Sequence, residues 1–185
     1  MPVLAENVVA ASQPLAAQAG LSMLHKGGNA VDAALAAAMA LTVVEPTGNG
    51  LGSDAFALVW DGGELHGLNG SGRAPKAWNL DYFKGLDAMP ALGWDTVTVP
   101  GAVDAWAQPW KRFGSLDFAV LFAPAVQYAR DGFPVSPRIA GLWQRVAPKY
   151  EGFSGLTETF LPHARAPHAG ELFRNPDQAA TLEKL

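Results

Sequence analysis

The longest apolar run in the sequence covers residues 30–44, where Asp32 is the sole charged residue. Because no polar face remains to turn toward water, the run predicts an α-helix that is buried on nearly all sides. Asn29 is a good N-cap, and Asp32 can complete a capping box three residues later. The run ends at Glu45-Pro46, short of the about 18 residues that a membrane span needs. It therefore indicates a core helix and not a membrane span.

Two short strands are predicted after this helix. Residues 55–60 and 64–69 have strand length, and Asp61-Gly62-Gly63 between them is a typical hairpin turn. The glycine-rich residues 48–54 precede the first strand. A phosphate-binding glycine loop follows a strand and opens a helix, and here the order is reversed. The glycines therefore favour a tight helix-to-strand turn over a nucleotide site.

The same analysis predicts further elements on both sides of the hairpin. Short strands are expected at residues 7–11 and 96–99, and a loop is expected at 149–155. Helices are expected after Ser12 as the cap, through Pro14 to His25, and at residues 102–113, 116–129, 138–146 and 177–185. Pro109 and Pro124 are expected to bend or shorten the two helices that contain them.

Composition and charge exclude several classes of function. The net charge is −4 and no basic run occurs, so neither nucleic acid nor an anionic membrane is an expected partner. The absence of cysteine excludes disulfides and thiol catalysis. His163 and His168 have no further ligand at metal-binding spacing, so we expect no metal and no cofactor. The first six residues lack a signal peptide pattern, which favours the cytoplasm, while a periplasmic or secreted location stays open.

The loop after the second strand, residues 70–76 (GSGRAPK), is the best candidate for binding a ligand. Its small residues let a ligand approach the backbone, and a guanidinium can hold a carboxylate by two parallel hydrogen bonds. Arg73 is therefore the leading candidate for a substrate contact. The alternative is that Arg73 pairs with a structural carboxylate or caps a strand end.

Several segments together resemble the start of the large subunit in the γ-glutamyltranspeptidase family. They follow that family's order over most of the chain. The matching segments are GGNAVDAALAAAMALTVVEP, GLGSDAF, NGSGRAP, VTVPGAVDAW, LDFAVLFAPAVQYARDGFPVS and FRNPDQAATLEKL.

The resemblance implies an α+β chain that forms part of the αββα four-layer sandwich of an N-terminal-nucleophile hydrolase, here a helical layer with a few antiparallel strands. In that family a precursor cleaves itself, and the new N-terminal Thr of the small subunit attacks a γ-glutamyl amide. No Thr in this sequence is followed by another Thr, as that nucleophile would be. Residues 1–185 are thus expected to be an incomplete domain without a catalytic residue, inactive alone. Its expected partners are the C-terminal remainder and the small subunit of the same precursor.

One position departs from the family pattern. The arginine that binds the substrate α-carboxylate in familiar γ-glutamyltranspeptidases falls on Ser71 here, and Arg73 lies two residues later. Two residues of extended chain correspond to about 7 Å. Ser71 and Arg73 are therefore both predicted substrate-binding positions, for a γ-glutamyl or a related acyl amide. Three alternatives remain: a cephalosporin-acylase-like amidohydrolase, a catalytically silent structural or interaction protein on the same scaffold, and the disfavoured nucleotide-binding domain.

Overall fold

The computed structural model describes residues 5–185, which form two compact units. The first unit contains residues 5–50 and Gly114–Leu185, and the second is Leu51–Phe113. The helices within the described residues are α1 (Pro14–His25), α2 (Ala30–Val44), α3 (Ala102–Phe113), α4 (Phe118–Asp131), α5 (Pro137–Val146), α6 (Ser154–Phe160) and α7 (Pro176–Leu182). The strands are β1 (Ala55–Trp60), β2 (Leu65–Gly70), β3 (Phe133–Pro134) and β4 (Leu172–Phe173).

Helix α2 lies at the centre of the first unit, as its apolar sequence predicts. It packs against α1 and α4, and α4 also packs against α7. The alanines of α2 allow these helices to approach closely. Each fully buried Leu or Val side chain contributes roughly 1.5–3 kcal/mol to folding. The buried residues of α2 are Asp32, Ala33, Leu35, Ala36, Ala37, Met39, Ala40, Thr42, Val43 and Val44.

The predicted capping box at the start of α2 is present and extends further than expected. The Asn29 side chain accepts from the backbone N–H groups of Val31 and Asp32, and an Asp32 carboxylate oxygen accepts from the Asn29 N–H at 2.9 Å. The fully buried Asp32 also accepts from the Ser115 N–H, with both oxygens at 3.1 Å. Asp32 thereby joins the start of α2 to the segment before α4.

The second unit is the predicted β-hairpin with α3 against one face. β1 and β2 pair antiparallel from Ala55 opposite Gly70 to Trp60 opposite Leu65. The inner face carries His66, whose ring lies 5.0 Å from that of Phe113 on α3. The outer face carries large apolar side chains that are 59–77% exposed. They are Phe56, Leu58, Trp60 and Leu65.

The predicted strands at residues 7–11 and 96–99 are wrong. Neither segment has a strand partner among the described residues, and residues 94–96 form a single 3₁₀ turn. The predicted loop at 149–155 is also wrong at both ends, because a 3₁₀ turn covers residues 147–150 and α6 begins at Ser154. The sequence did not predict the short antiparallel pair of β3 and β4.

Smaller corrections concern the ends and the prolines of the helices. The N-cap of α1 is Gln13 and not Ser12, whose hydroxyl instead donates to Glu45 at 2.5 Å. Pro109 and Pro124 lie within helices that continue past them. The last helix ends at Leu182, three residues earlier than predicted.

These elements make the described chain α+β, with helices and two small antiparallel sheets. None of the helices in residues 5–185 combines the length and hydrophobicity that crossing a bilayer would require.

Candidate functional site

The predicted binding loop leaves β2 at Gly70 and carries Ser71 and Arg73. Its backbone is held by residues 98–99, which lie far away in the sequence. The Val99 N–H donates to the Arg73 carbonyl at 2.9 Å, and the Thr98 hydroxyl donates to the Ser71 carbonyl at 3.2 Å. We call these two hydrogen bonds the clasp. The clasp fixes the backbone on both sides of Gly72.

Glycines allow this close approach of two backbone segments. Gly72 has a φ of +73°, and a Cβ built there would overlap the Val99 carbonyl oxygen and lie 3.0 Å from the Thr98 hydroxyl oxygen. A Cβ at Gly101 would lie 2.7 Å from the Gly72 nitrogen. An L-residue at position 72 would therefore meet both a backbone conformation it disfavours and a lack of space.

The same segment is anchored at the start of α3. The backbone N–H groups of Gly101 and Ala102 both donate to the Ser53 carbonyl, at 3.1 and 3.0 Å. The backbone before β1, the loop after β2 and the start of α3 therefore meet at one end of the hairpin. The candidate residues lie on this framework, which hydrogen bonds between loops and the close contacts of Gly72 and Gly101 hold in place.

The Arg73 side chain is exposed and has no hydrogen-bond or ion-pair partner among residues 5–185. The alternative of a structural ion pair is thus absent from the described part of the chain. An unpaired guanidinium on a fixed backbone offers planar N–H donors to an incoming carboxylate. This arrangement suits recognition of an acidic group.

Ser71 lies on the same loop, half-buried. Its backbone N–H donates to the Asn69 side chain at 3.0 Å, and its hydroxyl makes a long contact of 3.4 Å with the Gly72 carbonyl. The structure therefore brings both predicted binding residues onto one loop. Sequence analysis missed Thr98 and Val99, although the close spacing of glycines in GSG and PG was a sign of backbone contact.

Two other ionisable clusters have structural roles. At the hairpin turn, Asp61 accepts from His66 at 2.9 Å and from the N–H groups of Gly63 and Glu64, and the hydrogen bond from His66 is the main reason that the Asp61 pKa falls far below its usual value. The residues described contain no group of three or more His, Cys, Asp or Glu side chains that could hold a metal.

The second cluster lies before β4. Arg165 binds both oxygens of Glu171, at 2.8 and 3.0 Å, and the His168 N–H donates to the same carboxylate. Chiefly the hydrogen bonds from Arg165 lower the pKa of Glu171 from 4.5 to about 2. Among the described residues, Arg165 has a carboxylate partner and Arg73 has none.

Comparison with known proteins identifies the family. A family model described as Gamma-glutamyltranspeptidase matches residues 16–185. The chain belongs to the γ-glutamyltranspeptidase family. The resemblance inferred from sequence segments is thereby confirmed, and so is the relationship to hydrolases and transferases.

The relatives span both transpeptidases and acylases. The glutathione hydrolase-like YwrD proenzyme of Bacillus subtilis is 37% identical over 97% of this chain, which spans 35% of that relative's length. The cephalosporin acylase structure from Bacillus halodurans is 47% identical with a TM-score of 0.89, over 99% of this chain and 37% of that one. The Helicobacter pylori γ-glutamyltranspeptidase structure is 28% identical with a TM-score of 0.92, over 100% of this chain and 55% of that one.

Proposed function

We propose that this chain is the N-terminal part of a large subunit in an N-terminal-nucleophile hydrolase or acyltransferase. In this proposal Arg73 binds the carboxylate of a γ-glutamyl or related acyl amide. The observation that carries it is the unpaired Arg73 guanidinium on a clasped loop, in a chain of the γ-glutamyltranspeptidase family. The αββα sandwich is completed by the remainder of the precursor.

The remainder supplies the nucleophile in this proposal. The hydroxyl oxygen of its N-terminal Thr attacks the amide carbonyl carbon, the C–N bond breaks, and the leaving amine takes a proton. The resulting ester is then attacked by water, giving an acid, or by an acceptor amine, giving a new amide. Either attack returns the Thr hydroxyl. Arg73 contributes by holding the acyl group in place for both steps.

A full-length precursor tests this proposal directly. We expect it to cleave itself into two subunits and then to release p-nitroaniline from γ-glutamyl-p-nitroanilide or glutaryl-p-nitroanilide. Mass spectrometry of the cleaved chains would identify the new N-terminal residue. A well-folded product that stays uncleaved and inactive would instead favour the catalytically silent structural protein.

The role of Arg73 is tested by comparing Arg73→Ala with Lys76→Ala. Lys76 is an exposed cation in the same loop, so the control removes the same charge three residues away. Loss of a charged hydrogen bond costs about 1.5–3 kcal/mol, which raises KM roughly 10- to 150-fold. We expect that rise for Arg73→Ala with glutaryl-p-nitroanilide, and little change for Lys76→Ala. Equal KM values in the two variants would remove Arg73 from the site.

A cephalosporin-acylase-like amidohydrolase is the second candidate. Two observations favour it: Ser71 stands where the family resemblance places the α-carboxylate arginine, and the acylase structure shares 47% identity with this chain. The glutaryl group carries one carboxylate and no α-amino group, whereas the γ-glutamyl group carries both. The acylase candidate predicts a higher kcat/KM for glutaryl-p-nitroanilide, and the γ-glutamyl candidate predicts the reverse.

The outer face of the hairpin is the surface against which we expect the proposed partner, the remainder of the same precursor, to pack. Leu58 is 77% exposed at the middle of this apolar face. Contiguous exposed apolar surface marks sites of interaction. We expect Leu58→Asp to prevent self-cleavage of the full-length precursor, because the aspartate charge would be buried under the part of the precursor that packs on this face. Leu80→Asp is the matched control, since Leu80 is 93% exposed outside the hairpin. Normal cleavage in both variants would contradict this assignment.

A further inference from the structure

We propose that Thr98 is a positioning residue that sets where the Arg73 guanidinium meets the acyl carboxylate. This inference rests on the proposed function of Arg73. Thr98 is half-buried, and its hydroxyl reaches the Ser71 carbonyl at 3.2 Å across 27 residues of sequence. It contacts the loop and does not itself touch the substrate.

The two hydrogen bonds of the clasp differ in their dependence on sequence. The bond from Val99 uses a backbone N–H, which any residue except proline could supply. The bond from Thr98 uses a side-chain hydroxyl, which is present only in Ser, Thr and Tyr. Of the two clasp donors, Thr98 is therefore the one whose hydrogen bond a change of side chain can remove.

The clasp leaves the Arg73 backbone little room to move. The carbonyl groups of Ser71 and Arg73 are both held, and Gly72 between them is in contact with the Val99 backbone. With one hydrogen bond removed, the loop can rotate about the positive-φ glycine and displace the guanidinium. A two-point contact between Arg and a carboxylate depends on alignment, so a displacement of about 1 Å weakens it.

Four variants of the full-length protein test this inference: Arg73→Ala, Thr98→Val, Thr98→Ser and Thr96→Val. Thr98→Val keeps the shape and removes the hydroxyl, whereas Thr98→Ser keeps the hydroxyl. Thr96 is the matched control, since its hydroxyl donates to the Gly93 carbonyl at 2.8 Å and not to the binding loop. The binding of glutarate is measured by calorimetry, and hydrolysis is measured with glutaryl- and valeryl-p-nitroanilide.

We expect Thr98→Val to raise the Kd of glutarate and the KM of the glutaryl substrate about three- to tenfold, with kcat unchanged. The valeryl substrate lacks the carboxylate, so its KM should not change. Thr98→Ser should restore the wild-type values, and Thr96→Val should keep them. A general loss of folding would alter both substrates together, which separates it from a positioning effect.

The same variants distinguish failure of the Thr98 inference from failure of the function proposed for Arg73. If Arg73→Ala weakens glutarate binding but Thr98→Val behaves like Thr96→Val, the Thr98 inference is overturned and the function proposed for Arg73 stands. If Arg73→Ala leaves glutarate binding unchanged, the proposed role of Arg73 is refuted, and the positioning role of Thr98 falls with it.

Discussion

Replacing Gly72 by Ala should open the clasp, and several separate contributions determine how much local stability is lost. The left-handed conformation at φ +73° costs an L-residue about 1–2 kcal/mol. The added Cβ overlaps the Val99 carbonyl oxygen, so the two backbone segments must separate. Their separation removes the hydrogen bonds from Val99 to Arg73 and from Thr98 to Ser71, at about 0.5–1.5 kcal/mol each.

One contribution stabilises the Gly72→Ala variant instead of destabilising it. Alanine restricts the unfolded chain more than glycine does, which stabilises the folded state by about 0.4–1 kcal/mol. With the midpoint of each range, the net local loss is about 3 kcal/mol, which corresponds to a roughly 100-fold faster exchange of the Val99 amide hydrogen. Hydrogen exchange followed by peptide mass spectrometry measures this rate without requiring activity. It reports the clasp itself and not the stability of the whole protein.

Gly85→Ala separates the conformational cost from the steric one. Gly85 also has a positive φ, of +90°, but a Cβ there would meet nothing within 4 Å. This variant should lose about 1 kcal/mol or less locally and leave exchange at Val99 unchanged. If Gly72→Ala and Gly85→Ala gave the same exchange rate at Val99, the close approach of the two segments would not hold the loop, and the reasoning would fail.

Two further predictions concern the first unit. Asp32→Ala in the full-length protein should destabilise it by about 2–6 kcal/mol, because the Asn29 and Ser115 N–H groups lose their carboxylate acceptor and each unsatisfied donor costs about 1–3 kcal/mol. Asp177→Ala, in an exposed first turn, should cost about 0.3–1 kcal/mol, and similar melting temperatures of the two variants would contradict this. Glu171 has its pKa lowered from 4.5 to about 2, so its contribution to stability is complete above pH 4.5 and is lost as the pH falls toward 2. Wild type should therefore lose more stability than Glu171→Gln between pH 5 and 2.5 in thermal melts, and parallel losses would refute the linkage.

Local signals explain what the sequence could predict. The extent of α2 and its capping box follow from residues within one short window, because an N-cap, an acidic residue three positions later and a buried apolar run act on their own neighbours. The hairpin is also local, since its turn joins two strands that pair with each other. In α2 and the hairpin, tertiary contacts stabilise the conformation that the local sequence already favours.

The failed predictions concern elements that need distant partners. Residues 7–11 have a strand-like composition, but a strand exists only when a neighbouring strand accepts its hydrogen bonds. The described chain supplies none, so the segment stays irregular. Thr98 and Val99 form hydrogen bonds with the binding loop instead of with a sheet. Composition indicates the capacity to form a strand and cannot show which partner is present.

The candidate site depends partly on local sequence and partly on contacts between distant segments. Arg73 could be found from its loop because small residues around a guanidinium are a local pattern, whereas the clasp joins segments 27 residues apart and has no local signal beyond its glycines. The loop also begins where β2 ends, opposite Ala55 and beside Phe56 on the exposed apolar face. In the proposed function, the chain that covers this face would also lie beside the loop. The same part of the precursor would then cover the hairpin and enclose the carboxylate of the substrate, because the apolar face and the loop meet at one end of the hairpin.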